Sequence, residues 1–310
     1  MKRILILGAN GQLGIELQRT FRDTGQVIAL DRALCDLSNP DSIRAAIQNA
    51  HPEIILNAAA YTAVDRAESE PDLAMRINGE APGILAEEAK KQNALFIHYS
   101  TDYVFDGTKS EPWIEQDRTH PLNVYGATKL AGERNIQQVG GTFFIFRTSW
   151  VFSPHGKNFL LTMLRLGQER EELRIVSDQR GAPTSALALA NATHGVLENA
   201  AKGQLEDKTG IYHMSCAGET TWCDFARTIF RKSRSEKSWA SVVGISSSEY
   251  PTPAARPANS ILSNKKLSDV FGVALPVWED ALATSLRNLQ VWKSENPSRP
   301  PTDSAAPVSS

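Results

Sequence analysis

Tyr125 and Lys129 stand four residues apart in the run PLNVYGATK, and that spacing places two side chains on one face of a helix. A phenol beside an ammonium is a proton-transfer pair: the cation lowers the tyrosine pKa from about 10 and stabilises the phenolate left after proton donation. Ser100, Thr101 and Asp102 close the apolar run that starts at Phe96, and the Thr101 hydroxyl can bond the substrate oxygen that Tyr125 protonates. The expected catalytic set is Tyr125, Lys129 and Thr101. A bare Tyr-x-x-x-Lys is a weak signal in a chain with six tyrosines, so its meaning depends on what precedes it.

What precedes it is Gly8, Gly11 and Gly14 at G-x-x-G-x-x-G spacing, directly after the apolar run Ile4 to Leu7 and at the mouth of a helical stretch. Glycines allow a tight turn and close backbone approach, and a helix N-terminus offers unpaired N–H groups to a pyrophosphate. Asp31 ends the next apolar run, where a carboxylate accepts hydrogen bonds from the hydroxyls of an adenosine ribose, which favours NAD. Arg32 follows at once, and a guanidinium there can pair with a 2'-phosphate, so NADP stays open. Asp36 and Leu37 can flank the adenine or serve as a cap and a core leucine. The run Asn57 to Thr62, with Ala60, Tyr61 and Thr62, has small side chains where a strand end passes a cofactor, although sheet packing also selects alanines.

The elements that must position these residues read as alternating short apolar runs and longer amphipathic ones, the pattern of a parallel sheet with crossover helices. Strands are expected at Ile4–Leu7, Val27–Leu30, Ile54–Asn57, Phe96–Ser100 and Phe143–Phe146. Leu13, Leu17 and Phe21 form one apolar helical stripe, with Glu16 and Arg19 off it. The fold class is α/β, a doubly wound parallel Rossmann sheet over residues 1–150 with a smaller C-terminal substrate-binding domain over 151–293. In that second part helices are expected at Phe159–Arg170 and Thr221–Lys232. The Pro-rich ending, 294–310, has no apolar periodicity and reads as a disordered tail.

Composition narrows the partners. The 310 residues are 41% hydrophobic with a formal charge of -2 and no long single-sign runs, which gives no reason to expect nucleic acid or an anionic membrane. Small molecules are the expected ligands. Three scattered cysteines, Cys35, Cys216 and Cys223, suggest reduced thiols, and the short N-terminal apolar run is no signal-peptide core, so a cytoplasmic protein is expected. No stretch approaches the ~20 apolar residues that span a bilayer.

Taken together, GANGQLG, NAAAYTAVDRAE, YSTDYVFDG, PLNVYGATK, RTSWVF, DQRGAPT and RPANSIL resemble the extended short-chain dehydrogenases, and within them the branch that reduces dTDP-linked 4-keto sugars. The resemblance runs from Lys2 to Leu289. It implies reduction of the C4 ketone of dTDP-6-deoxy-L-lyxo-4-hexulose to dTDP-L-rhamnose by NADPH or NADH. By position it implies cofactor contacts from Gly11, Gln12, Leu13, Asp31, Asp36, Leu37, Ala60, Tyr61 and Thr62, with Lys129 bridging Tyr125 and the nicotinamide ribose. Thr101, Asp102, Trp150 and Arg256 are the implied contacts to the dTDP-sugar, with packing as the alternative role for the aromatic ones.

Some members of this branch bind magnesium at a dimer interface through three glutamates. Only Glu16 matches here, because Ala186 and Asn288 occupy the other positions, so no metal site is expected and the chain is a monomer or homodimer. Two other roles share the scaffold: a sugar-nucleotide epimerase or dehydratase, and a non-catalytic regulator resembling a subunit of methionine adenosyltransferase. A dehydratase needs an acidic pair near Thr101, where Asp102 is followed by Tyr103.

Overall fold

A computed structural model describes residues 2–200, 205–233 and 238–295. Strands β1 (Lys2–Leu7), β2 (Gly25–Leu30), β3 (Ile54–Asn57), β4 (Leu95–Thr101) and β5 (Phe143–Thr148) contain the five expected runs. Between them lie helices α1 (Gln12–Phe21), α2 (Pro40–Ala50), α3 (Val64–Ala67), α4 (Pro71–Met75), α5 (Ala81–Lys91) and α6 (Val124–Val139), with a π-type turn at Arg76–Glu80 before α5. The chain continues through β6 (Val151–Phe152), α7 (Phe159–Glu169), β7 (Glu172–Val176), β8 (Arg180–Gly181), β9 (Thr184–Ser185), α8 (Ala186–Ala200) and β10 (Gly210–His213). It ends with β11 (Thr220–Thr221), α9 (Trp222–Lys232), β12 (Ser241–Ile245), α10 (Lys265–Phe271) and α11 (Trp278–Glu295).

Among the described residues the central sheet has six strands in the order β10-β5-β4-β3-β1-β2, and every pairing is parallel. Parallel strands buried on both faces split alternate side chains between two cores. Ile4, Ile6, Ile97, Phe144 and Phe146 pack on one face with Leu13, Leu17 and Phe21 of α1 and Leu189 and Val196 of α8. Leu5, Leu7, Phe96 and Ile145 pack on the other with Ile43 and Ile47 of α2 and Leu85 and Ala89 of α5. The chain leaves β1 toward β2 on one side and returns through β3 on the other. The strand order therefore reverses beside β1, where a doubly wound sheet opens a crevice at the strands' carboxyl ends.

The helix α8 and the strand β10 follow residue 150 and pack onto the sheet formed by the first half. The remaining C-terminal segments build a smaller layer in which β7 pairs with β12, β8 with β11, and β6 with β9. The expected tail starts inside α11, which runs to Glu295; residues 296–310 lie outside the described residues. The three cysteines are buried free thiols.

Glu16 lies off the apolar stripe of α1 yet is 2% exposed, because His155 Nε2 meets its Oε1 at 2.8 Å and Arg19 at 3.3 Å. A paired carboxylate can occupy a position that periodicity assigns to solvent.

Candidate functional site

The glycine turn is built backbone against backbone. Gly8 leaves β1 with φ of 82°, and a Cβ on it would lie 2.9 Å from the Ala59 backbone. A Cβ on Gly14 would lie 2.1 Å from the Gly8 carbonyl oxygen, so α1 starts hard against the turn. Gly11 is the N-cap of α1 and offers no side-chain acceptor, which leaves the first N–H groups of the helix to whatever enters the crevice.

That crevice is a cleft of about 590 Å³ running from Asp31 and Arg32, past Gly8, Gly11, Gln12 and Leu13, to Ala60, Thr62, Tyr125 and Lys129. The Ser100 and Thr148 hydroxyls, at the carboxyl ends of β4 and β5, also lie on its wall. Both are buried without a protein partner, although buried hydroxyls are ordinarily bonded. At the far end Asp31 Oδ2 accepts from Asn10 at 2.9 Å and Oδ1 from the Ala33 amide at 3.0 Å, while the Arg32 side chain is 76% exposed with Asp36 3.9 Å away. An uncapped helix start, glycines where a Cβ would collide, and two hydroxyls lacking partners fit a dinucleotide lying along the cleft.

Asn123 caps α6 by accepting the Gly126 amide at 2.8 Å, and the helix carries Tyr125 and Lys129 to the same wall. The Thr101 hydroxyl donates to Asp102 Oδ1 at 3.1 Å and accepts the Tyr103 amide at 3.2 Å, and it acts on the Tyr125 phenol by lowering its proton affinity. Burial pushes Tyr125 up to about 12, against a smaller lowering by Thr101, so the phenol holds its proton throughout the neutral range. Lys129 is 1% exposed; its Nζ donates to the Tyr99 carbonyl at 2.7 Å and lies 3.0 Å from His98 Nε2. Burial brings it down to about 8. The lysine thus bonds the Tyr99 carbonyl and His98, while burial and Asp102 raise the phenol's proton affinity and Thr101 lowers it. Asp102 is 2% exposed, and burial raises it to about 7 against the lowering effect of the Ser260 and Thr101 hydroxyls.

Several expected residues do not reach the cleft wall. Gly14 packs under Gly8, Leu37 is in the core beside α2, and Asp36 closes a turn by accepting the Ser38 amide at 2.9 Å. Tyr61 is held by Asn78, which bonds its amide and carbonyl, and its hydroxyl donates to Glu70 at 2.6 Å. Thr101 and Asp102 are buried and do not line the cleft. Trp150, with a left-handed φ of 50°, stacks on Trp222 at a ring separation of 3.6 Å, and Arg256 pairs with Asp65 at 2.8 Å. Stacking and ion pairing hold these last two in place, and neither lines this cleft. Conversely, Ser100, Thr148, Gly156 and Lys157 line it. Ser100 and Thr148 lie at the carboxyl ends of two runs that the sequence marks as strands, and that position is the signal that could have found them; Gly156 and Lys157 belong to a loop after β6 with no periodicity to place it.

His155 from that loop occupies Glu16, and among the described residues no group of three His, Cys, Asp or Glu side chains is placed to hold a metal ion. No helix of the described residues is long and apolar enough to cross a membrane.

A glycine turn at the switch point of a parallel sheet, an acidic residue closing β2, and a Tyr/Lys pair on the same cleft define a short-chain dehydrogenase with a nicotinamide cofactor. The family described as RmlD substrate binding domain matches residues 1–291, and the chain belongs to it. It is 49% identical to a dTDP-4-dehydrorhamnose reductase of Burkholderia thailandensis over 93% of this chain and 99% of that protein. A crystal structure of a dTDP-4-dehydrorhamnose reductase from Clostridium acetobutylicum superposes with a TM-score of 0.86 at 37% identity, covering 93% of this chain and 99% of that one. One from Bacillus anthracis in complex with NADP gives 0.86 at 35% identity with the same coverage, 93% and 99%.

Proposed function

We propose that this chain reduces the C4 ketone of dTDP-6-deoxy-L-lyxo-4-hexulose to dTDP-L-rhamnose. The observation that carries the reading is the meeting of Tyr125 and Lys129 with the glycine turn on one cleft, in a chain related end to end to dTDP-4-dehydrorhamnose reductases. The nicotinamide, when bound, supplies the hydride to C4. Gly8, Gly11, Gln12 and Leu13 would hold the pyrophosphate of the cofactor, and the unpartnered Ser100 and Thr148 hydroxyls would be available to it along the same wall. Tyr125 keeps a proton on Oη and delivers it to the sugar oxygen as negative charge grows there, with Thr101 lowering the phenol's proton affinity. Asp102, Trp150 and Arg256 are the proposed sugar-nucleotide side, supplied with the segment 151–293, in a cytoplasmic enzyme.

The test is NADPH or NADH consumption by the purified protein with the 4-keto sugar nucleotide, with dTDP-L-rhamnose as the expected product. Binding of nucleotide without turnover of any 4-keto sugar nucleotide would sink the reading in favour of a regulator.

Both cofactors are expected to work, since the Asp31 carboxylate can accept from ribose hydroxyls and the Arg32 side chain, 76% exposed and only loosely paired with Asp36 at 3.9 Å, can turn to a 2'-phosphate. Asp31→Ala should raise the NADH Michaelis constant by about 10- to 100-fold, the worth of a charged hydrogen bond, and the NADPH one far less. Equal losses with the two cofactors would remove Asp31 from this role.

A further inference from the structure

Behind the cleft, three side chains each 1% exposed form a chain from Asn57 at the end of β3, through His98 on β4, to Lys129 on α6. Asn57 Nδ2 lies 3.1 Å from His98 Nδ1, and His98 Nε2 lies 3.0 Å from Lys129 Nζ. Their hydrogens can be counted. Asn57 Oδ1 accepts the Ala59 amide at 3.2 Å, so the side chain presents its NH₂ group to Nδ1. Burial and the neighbouring lysine hold His98 well below the usual imidazole range, and a neutral ring carries one hydrogen. Nδ1 must then accept, and the hydrogen sits on Nε2, pointing at Lys129.

An ammonium has three donors and no acceptor, whereas an amine can take the Nε2 hydrogen while still donating to the Tyr99 carbonyl at 2.7 Å. This arrangement therefore suits a neutral Lys129. A charged Lys129 requires the opposite one: Nε2 accepts, Nδ1 carries the hydrogen, and the Asn57 amide turns so that Oδ1 receives it. Turning the amide releases the Ala59 N–H, on a residue that lines the cleft.

We propose that Asn57 and His98 form a proton-coupled key for Lys129, in which the imidazole tautomer, the Asn57 amide and the lysine charge switch together. One proton is taken up from water in the cleft. The ring is neutral in both states, its hydrogen moving from Nε2 to Nδ1. Uptake gives the cleft a cation and a freed backbone donor at once, which couples the binding of an electron-rich ligand to protonation. His98 and Asn57 are positioning residues: they act through Lys129.

The other groups that bear on this lysine are on α6 and β5. Tyr125, one turn before it, shares the cleft wall. Glu133, one turn after it, raises its proton affinity and is itself paired with Arg147. Burial outweighs that rise and brings Lys129 to about 8, so both states are populated within a workable pH range. The inference deepens the reading of Lys129 as the partner of Tyr125, but its test needs no turnover and can fail while the reductase reading stands.

The experiment is nitrogen-15 NMR of the histidine rings in the full-length, cofactor-free protein, with His98 assigned by its loss in His98→Gln. The expected result is the Nδ1–H pattern below the lysine's midpoint and the Nε2–H pattern above it, with the carbon-13 ε-methylene of Lys129 titrating in step. A single tautomer across pH 6 to 10, or a ring that becomes charged near neutrality, overturns the proposal. Asn57→Asp replaces the amide donor with an acceptor, so it should fix Nδ1–H and raise the lysine midpoint by about one unit or more. An unchanged tautomer switch in that variant also overturns it, and if the variant does not fold, the wild-type titration decides alone.

Discussion

Tyr125→Phe is expected to lower the rate of NAD(P)H oxidation with the 4-keto sugar nucleotide by roughly 10²- to 10⁴-fold, the usual worth of a positioned general acid. The ring would remain, with its edge-to-face contact on Tyr103 at 5.4 Å, so the fold and the cleft wall lose little. What goes is a hydroxyl that combines two properties: it belongs to a side chain lining the cleft, and burial keeps it protonated up to about 12. Because that proton is retained throughout the neutral range, the wild-type acid should be fully armed at any physiological pH, and its own ionisation should remove activity only as pH approaches the raised value. Equilibrium binding of NADPH should stay within a few fold of wild type. Single-turnover decay of NADPH fluorescence makes the comparison, and a variant retaining a tenth or more of the wild-type rate would show that another group supplies the proton.

The largest effect on stability is expected at Arg147. This side chain, 2% exposed on β5, donates from Nε and Nη2 to the two oxygens of Glu133 at 3.0 and 2.6 Å, and its guanidinium lies 5.1 Å from the centre of the Phe105 ring. Arg147→Met keeps much of the volume but strands a carboxylate that is 1% exposed, at a cost of about 3–5 kcal/mol. At roughly 2–4 °C per kcal/mol for a domain of this general size, the melting temperature should fall by about 10 °C. Replacing both partners, Arg147→Met with Glu133→Leu, should recover much of the loss, since no unpaired charge then remains. Thermal unfolding of the single and double variants checks this, and a double variant no more stable than the single one would mean that the pair's worth lies in attraction rather than in avoided desolvation.

The sheet was legible in the sequence because parallel strands buried on both faces are continuous apolar runs; Ile54–Asn57 and Phe143–Phe146 need no partner to be recognised. The glycine turn was legible for a related reason, since only residues without a Cβ tolerate the 2.1 Å and 2.9 Å approaches at Gly14 and Gly8. Harder to see was anything settled by a partner far along the chain. Glu16 is buried because of His155, Arg256 is drawn to Asp65, and Trp150 turns toward Trp222, and none of these pairs leaves a local pattern. The four-residue spacing of Tyr125 and Lys129 placed both on one wall, but it could not show that the amine is bonded to His98 and to the Tyr99 carbonyl across the sheet. Segments such as β10, four residues of mixed character, became strands because the edge of β5 was waiting for them.

That last pairing has a consequence for synthesis. The strand bordering β5 is drawn from Gly210–His213, so a nascent chain that has emerged as far as Thr148 has Thr101, Tyr125, Lys129 and the whole glycine turn, yet presents the backbone of Phe144 to Arg147 as an open edge. An unpaired strand so rich in phenylalanine is a template for other chains. The N-terminal half should therefore be a poor independent fragment, aggregating when expressed alone to residue 150. During translation it should depend on rapid arrival of the later strand, or on a chaperone, until the border is closed.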